Sequence, residues 1–197
     1  MSKVVAIEQL TLDGVMQGPG RPDEDRRDGF DHGGWAAAGN DPTMQQIVGK
    51  HMSSSWSLLV GRTTYEDFAS FWPNQPQPNP FTEVLNHVEK FVASTTLTEP
   101  LPWHNSRLLK GDAADAVAEL KKTHDKNLVI FGSGVLVQSL LRRGLIDEFV
   151  LPIHPLVLGK GRRLFPDTSP PAKFQLAESG TTGTGVIIAT YRGSSHN

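Results

Sequence analysis

Short apolar runs rich in β-branched residues recur along this chain, and helix-like segments stand between the middle ones. That alternation constrains the fold more than any other feature, because strands alternating with helices build a largely parallel sheet covered on both faces. The runs occupy 3–12, 57–60, 90–93, 107–109, 127–131, 148–153, 174–179 and 185–191. Four segments carry helix signals. Asp41-Pro42 reads as an N-cap followed by proline at the first helical position, and Met44, Ile47 and Val48 follow at helical spacing. Residues 63–71 are a second candidate. Asp112 opens a third, with Ala113, Ala116, Val117 and Leu120 in a stripe and Lys121-Lys122 in the last turn. The fourth runs over 135–141 and stops at Arg142-Arg143-Gly144, a basic last turn followed by glycine. The final two strands are joined through the glycine- and threonine-rich stretch 180–185, which predicts a hairpin at the sheet edge. Residues 18–39 and the four-proline stretch 73–80 read as loops too short for interdomain linkers, so 1–197 is expected to be one domain.

Composition narrows the function. Charged residues make up 20% and the net charge is −2, without the basic excess that a nucleic-acid binder needs. Cysteine is absent, which excludes thiolate metal sites, iron–sulfur clusters and cysteine nucleophiles. The apolar start, Val4 to Ile7, is too short for a signal peptide, and no stretch approaches a membrane span; a cytoplasmic protein is the expectation. The seven histidines show no ligand spacing, so no metal is expected. A nucleophile elbow and a P-loop are both missing, and Gly183-x-Gly185 lies between two strands rather than between strand and helix.

Three strand ends carry chemistry. Phe131-Gly132-Ser133-Gly134 follows one strand and opens a helix, a junction where backbone N–H groups and the positive helix end suit a pyrophosphate. Steric need in a tight turn explains the same glycines. Val60-Gly61-Arg62-Thr63-Thr64-Tyr65 is a second such junction, with an arginine and two hydroxyls. Its plainer reading is a threonine cap and a surface charge. Ala93-Ser94-Thr95 ends a third strand in hydroxyls. Two such junctions in one parallel sheet favour a ligand with more than one phosphate, lying across the carboxyl ends of the strands.

These motifs, with Leu12-Asp13-Gly14-Val15 before them, stand in the order of the dihydrofolate reductase-like superfamily. The tail from Gly144-Leu145-Ile146-Asp147-Glu148-Phe149 through Pro155-Leu156-Val157-Leu158-Gly159-Lys160-Gly161 resembles its riboflavin-biosynthesis branch, the reductase domain of the bifunctional deaminase–reductase. The resemblance implies a dihydrofolate reductase-like α/β fold, a three-layer αβα sandwich around a mostly parallel mixed sheet of about eight strands, with NADPH as cofactor. It places Gly61, Arg62, Thr63 and Thr64 at the adenosine phosphates, and Ser94 and Thr95 beside the adenine ribose. Gly132, Ser133, Gly134, Val135 and Leu136 fall on the pyrophosphate turn. Gly14 and Val15 fall on the loop that closes over the nicotinamide. Where the classical reductases have two adjacent glycines, often cis, this chain has Gly132-Ser133. The twofold interface of the riboflavin branch implies a homodimer near the apolar tract 147–158, although a central buried strand explains the same run.

The substrate end matches less well. The region that holds the ring-binding acid in dihydrofolate reductases reads Gly33-Gly34-Trp35-Ala36-Ala37-Ala38-Gly39-Asn40-Asp41-Pro42. Asp41 is the nearest acid, either catalytic or only a cap, and Asp13 is the other candidate proton donor. Trp35 is either a wall for a flat heterocycle or a loop anchor. The resemblance implies an NADPH-dependent reductase of a small flat heterocycle, pterin- or pyrimidinone-like, or of a carbonyl compound. It is similar to 5-amino-6-(5-phosphoribosylamino)uracil reductase. The alternative is a nucleotide-binding module that keeps the cleft without turnover.

Overall fold

The computed structural model describes residues 2–52, 55–76 and 79–193. Its centre is a single mixed sheet. The strands are β1 (Val4–Ile7), β2 (Leu10–Thr11), β3 (Trp56–Gly61), β4 (Lys90–Ala93), β5 (Ser106–Leu109), β6 (Asn127–Phe131), β7 (Glu148–His154), β8 (Phe174–Thr181) and β9 (Ile187–Gly193). The order is β5-β4-β3-β6-β1-β7-β9-β8, with β2 paired to β7. All pairings from β5 to β7 are parallel, and β9 and β8 add an antiparallel hairpin at the edge. The fold is thus the expected dihydrofolate reductase-like α/β arrangement. The run 3–12 is two strands rather than one, because the chain turns from β1 to β7 at Glu8, whose N–H donates to the Val150 carbonyl at 3.0 Å. That break makes the ninth strand.

Among the described residues five α-helices cover the faces: α1 (Pro42–Lys50), α2 (Arg62–Phe71), α3 (Pro80–His87), α4 (Ala113–Thr123) and α5 (Gly134–Arg142). Strand alternation sorts the core. Val5, Ile7, Leu58, Val60 and Val129 pack with Met44 of α1, Tyr65 of α2 and Leu85 of α3 on one face. Val4, Ala6, Leu59, Leu128 and Ile130 pack with Ala114 and Val117 of α4 and Leu136, Val137 and Leu140 of α5 on the other. The sheet is therefore the middle of three layers.

Helix α3 stands where the sequence reads as a connector continuing to Pro80; Gln77 and Pro78 of that connector lie outside the described residues. Asn79 caps α3 by accepting the Thr82 N–H, and Pro80 fills its first position, the same device that starts α1. The apolar tract 147–158 holds β7, which lies between β1 and β9 with six of its seven residues buried. Burial inside the sheet accounts for that run.

Candidate cofactor and active site

The sheet changes direction of travel at β6. From β3 the chain moves outward to β4 and β5; from β6 it crosses β1 to reach β7. The crevice between the carboxyl ends of β3 and β6 is consequently a topological switch point, where ligands of open α/β sheets bind. Helices α2 and α5 start there from neighbouring strands and lie on opposite faces.

The two strand-to-helix junctions are tied together. Ser133 Oγ accepts the Gly61 N–H at 3.0 Å, and the Ser133 N–H donates to Thr64 Oγ1 at 3.0 Å. These bonds hold the turn in an unusual shape. Gly132 has φ +62, and Ser133 has φ 59 and ψ 39, a left-handed conformation that costs a non-glycine residue on the order of 1 kcal/mol. The Gly132–Ser133 peptide is trans; among the described residues the cis bond is Glu99–Pro100. One bond from the serine side chain and one from its backbone N–H hold what a second glycine would adopt freely.

Neither helix start is capped by a side chain: Gly61 precedes α2 and Ser133 precedes α5, and neither supplies a side-chain cap bond. The first-turn N–H groups of both helices, including those of Arg62, Thr63, Thr64, Val135 and Leu136, are the orphan donors of a helix N-terminus. Two such ends beside one crevice form a phosphate-binding arrangement, so the residues fit a dinucleotide. Arg62 and Thr63 are exposed at the rim, Arg62 pairing with Glu66 at 3.3 Å. Val135 is exposed, whereas the Leu136 side chain points into the core, so Leu136 offers only backbone. Ser94 directly follows β4, two strands from β6, with its Oγ accepting from Thr96 and Leu97 N–H; Thr95 beside it is exposed.

The first loop closes over this end. Gly14 has φ +78, and the Val15 N–H donates to Thr11 Oγ1 at 3.0 Å. Val15 is fully buried and bridges to Arg163, so its side chain packs inside the loop. The residue that reaches the α5 start is Met16. Its Sδ would lie 2.5 Å from a Cβ at position 134, which is why glycine fits there. Asp13 fastens the loop. It accepts from Thr11 Oγ1 at 2.6 Å and from the N–H groups of Leu158 and Gly159 at 3.2 and 2.8 Å. The Thr11 hydroxyl and those amides hold its carboxyl below the usual range, so near neutrality it has no proton to give.

Asp41 is similarly engaged. Oδ1 accepts the Met44 N–H at 2.9 Å as the cap of α1, and Oδ2 accepts the Gly183 N–H at 2.9 Å, tying α1 to the β8–β9 hairpin. Trp35 donates from Nε1 to the Gln17 carbonyl at 2.7 Å, an anchoring contact, and sets its ring edge-on to His154 at 5.2 Å.

Three further residues at these strand ends drew no notice in the sequence. His154, ending β7 and 1% exposed, shares a 2.5 Å hydrogen bond with Gln9 Oε1, and its ring packs against Gly39. Burial holds its imidazole below the ordinary value, so it is neutral. Gln9 also donates to Met44 Sδ at 3.7 Å. Glu8, 2% exposed, has an Oε1 without a partner, and burial pushes its carboxyl well above the usual range against an opposing Gly132 N–H. A glutamate directly after four buried apolar residues was the available signal for Glu8. Gln9 and His154 meet across 145 residues and carry none.

Comparison with known proteins agrees with the geometry. The family model of the RibD C-terminal domain matches residues 2–188. Protein YyaP of Bacillus subtilis, itself uncharacterized, is 28% identical over 138 residues, covering 68% of this chain and 72% of that one. A protein of Shewanella sp. PV-4 assigned to riboflavin biosynthesis superposes with a TM-score of 0.66 at 24% identity, covering 98% of this chain and 99% of that one. Dihydrofolate reductase from Enterococcus faecalis, complexed with NADP(H), superposes with a TM-score of 0.60 at 16% identity, covering 97% of this chain and 96% of that one. At these identities the structural likeness establishes the fold.

Proposed function

Because the chain belongs to the RibD C-terminal domain family, we propose that it is an NADPH-dependent reductase of a small flat heterocycle or carbonyl compound. The observation that carries this reading is the Gly61–Ser133–Thr64 link, which sets two uncapped helix starts side by side at the switch point. When bound, NADPH supplies the hydride. The chain's part is to bind and orient. The first-turn amides of α5 receive the pyrophosphate, and Arg62 leaves Glu66 for the 2′-phosphate with Thr63 and Thr64 beside it. Ser94 and Thr95 border the ribose. The loop Gly14-Val15-Met16 closes over the cofactor and keeps water out.

On the far side of the sheet end, Trp35, Gln9 and His154 bound the substrate region. A neutral imidazole and a carboxamide there suit an uncharged pterin- or pyrimidinone-like ring. Water delivers the proton, since Asp13 is ionised and both Asp41 oxygens are occupied. The step resembles that of 5-amino-6-(5-phosphoribosylamino)uracil reductase, but a phosphoribosyl tail is not favoured. Four of the first-loop and tail cations are paired with acids: Arg21 with Asp67, Arg27 with Asp25, Arg162 with Asp28 and Lys160 with Asp31. We place the protein in the cytoplasm; among the described residues no helix is long and apolar enough to cross a membrane.

NADPH oxidation with a panel of pterins, pyrimidinones and quinones tests the reading. Turnover of a pyrimidinone with little or none of dihydrofolate is expected. Tight NADPH binding without turnover of any member favours the second reading, a non-catalytic module, which the occupied carboxylates of Asp13 and Asp41 also suit. We also propose a homodimer. The edge strand β8 is exposed along most of its length, and Leu176 of β8 and Ile187 of β9 are exposed apolar residues of this hairpin. A sedimenting particle of 21.5 kDa at micromolar concentration would exclude it.

A further inference from the structure

Resting on the NADPH reading, we propose that Glu8 is a cofactor-binding residue whose carboxyl donates a hydrogen bond from Oε1 to an oxygen of the bound dinucleotide. Its place in the fold is the basis. Ile7, the last residue of β1, pairs with Phe131, the last of β6, so Glu8 leaves the sheet beside Gly132, whose strand borders the switch point. The Gly132 N–H opposes the effect of burial on the Glu8 carboxyl, so this side chain lies beside the phosphate turn. Oε1 is buried and has no partner. An unpaired buried polar atom costs roughly 1–3 kcal/mol, a cost that a leucine at the same place would avoid. A ligand oxygen brought against the turn removes that cost, because the acid proton then has an acceptor.

The surroundings keep the group uncharged. Val4, Ala6 and Leu10, on the same alternation as Glu8, lie in the core cluster of the α4–α5 face. Ile130 of β6, Leu136 of α5 and Leu151 of β7 belong to that cluster, and Met16 of the first loop packs against it. None of these can titrate. The one charged residue of α5 is Arg142, in its last turn. On β7, Glu148 is bound to His51 and Arg192 at the opposite end of the strand, and His154 lies on the other face against Trp35. Asp13 of the loop is turned to Leu158 and Gly159. Burial is the leading cause of the raised carboxyl pKa, opposed by the Gly132 amide alone. An ionised Glu8 would lose its donor and repel the phosphates beside it, so cofactor affinity is tied to its proton.

The test is calorimetric titration of the full chain with NADPH and with 2′-phospho-ADP-ribose, which keeps the pyrophosphate and lacks nicotinamide. Wild type is compared with Glu8→Gln and Glu8→Leu. Glutamine keeps the size and a hydrogen-bond donor, so Glu8→Gln is expected within about threefold of wild type at about pH 6, while Glu8→Leu binds NADPH about tenfold or more weakly. Between about pH 6 and about pH 9 wild-type affinity falls and that of Glu8→Gln stays level. A loss in Glu8→Leu seen with both ligands places the acceptor on the pyrophosphate; a loss with NADPH alone places it on the nicotinamide. Both support the proposal. A folded Glu8→Leu that binds NADPH as wild type does overturns it. So does a level wild-type profile matching that of Glu8→Gln, a comparison that stands even if Glu8→Leu does not fold. Failure of wild type to bind NADPH at all would instead refute the reductase reading.

Discussion

Replacing Asp41 separates a structural carboxylate from a catalytic one. Its two oxygens each accept one backbone N–H at 2.9 Å, from Met44 in the first turn of α1 and from Gly183 in the β8–β9 turn. Loss of an N-cap costs about 1 kcal/mol, and loss of a charged hydrogen bond to a backbone amide costs about 1.5 kcal/mol or somewhat more. Asp41→Ala should therefore destabilise by about 2–3 kcal/mol. Asparagine caps helices well but has one acceptor oxygen, so Asp41→Asn keeps the Met44 bond, loses the Gly183 bond and costs about half as much. For a chain of this size each kcal/mol moves the melting temperature by roughly 2–4 °C, giving a fall of about 4–12 °C for alanine. Urea denaturation and thermal melts read the stabilities, and NADPH turnover reads the function. The account requires the order wild type, asparagine, alanine in stability, with kcat of Asp41→Asn within about twofold of wild type. Equal stability of all three would refute the two-bond accounting. Full stability of Asp41→Asn with a collapse of kcat would restore Asp41 as the proton donor.

Other outcomes follow from single groups. Arg62→Ala should lose about tenfold in NADPH affinity and nothing in NADH affinity, since only NADPH carries the 2′-phosphate; parallel titrations check this. Lys90 is buried beneath Trp103, its ammonium donating to the carbonyls of Asn86, Val88 and His104, and burial lowers its pKa to about 8. Because the unfolded chain holds this proton up to about pH 10.5, stability should rise with pH above neutrality. The gain is at most about 1 kcal/mol between pH 7 and pH 9, and Lys90→Met should lack it. Glu8 acts in the opposite sense. Its folded pKa is raised, so the unfolded state loses the proton first, and stability falls as pH climbs from the unfolded value toward the raised one. Chemical denaturation of Glu8→Gln should show that decline abolished.

The parallel sheet was legible because each buried strand is a compact β-branched run, and the turns at Gly61 and Gly132 stand where two such runs meet helices. Helix α3 was not. Four prolines across 73–80 masked the Asn79-Pro80 start, although Asp41-Pro42 carries the same signature. At the site, motif order picked out the two strand-to-helix junctions that the fold ties together but not which side chains turn inward. Val15 is packed within its loop and Met16 takes the position over Gly134, a distinction set by the Val15–Arg163 bridge rather than by residue type. The acids most visible in the sequence, Asp13 and Asp41, bind backbone amides. Among the described residues, the acid with a buried oxygen that has no partner is Glu8, at the end of an apolar run.

Hydrogen exchange of the backbone amides with and without NADPH tests the central claim most directly. The account predicts saturable protection concentrated at 61–64 and 132–136, with a smaller effect over 14–16 as the loop closes. Protection centred instead on the cavity of about 640 Å³ bordered by Tyr65, Leu97 and Trp103, or no protection at saturating NADPH, would contradict it.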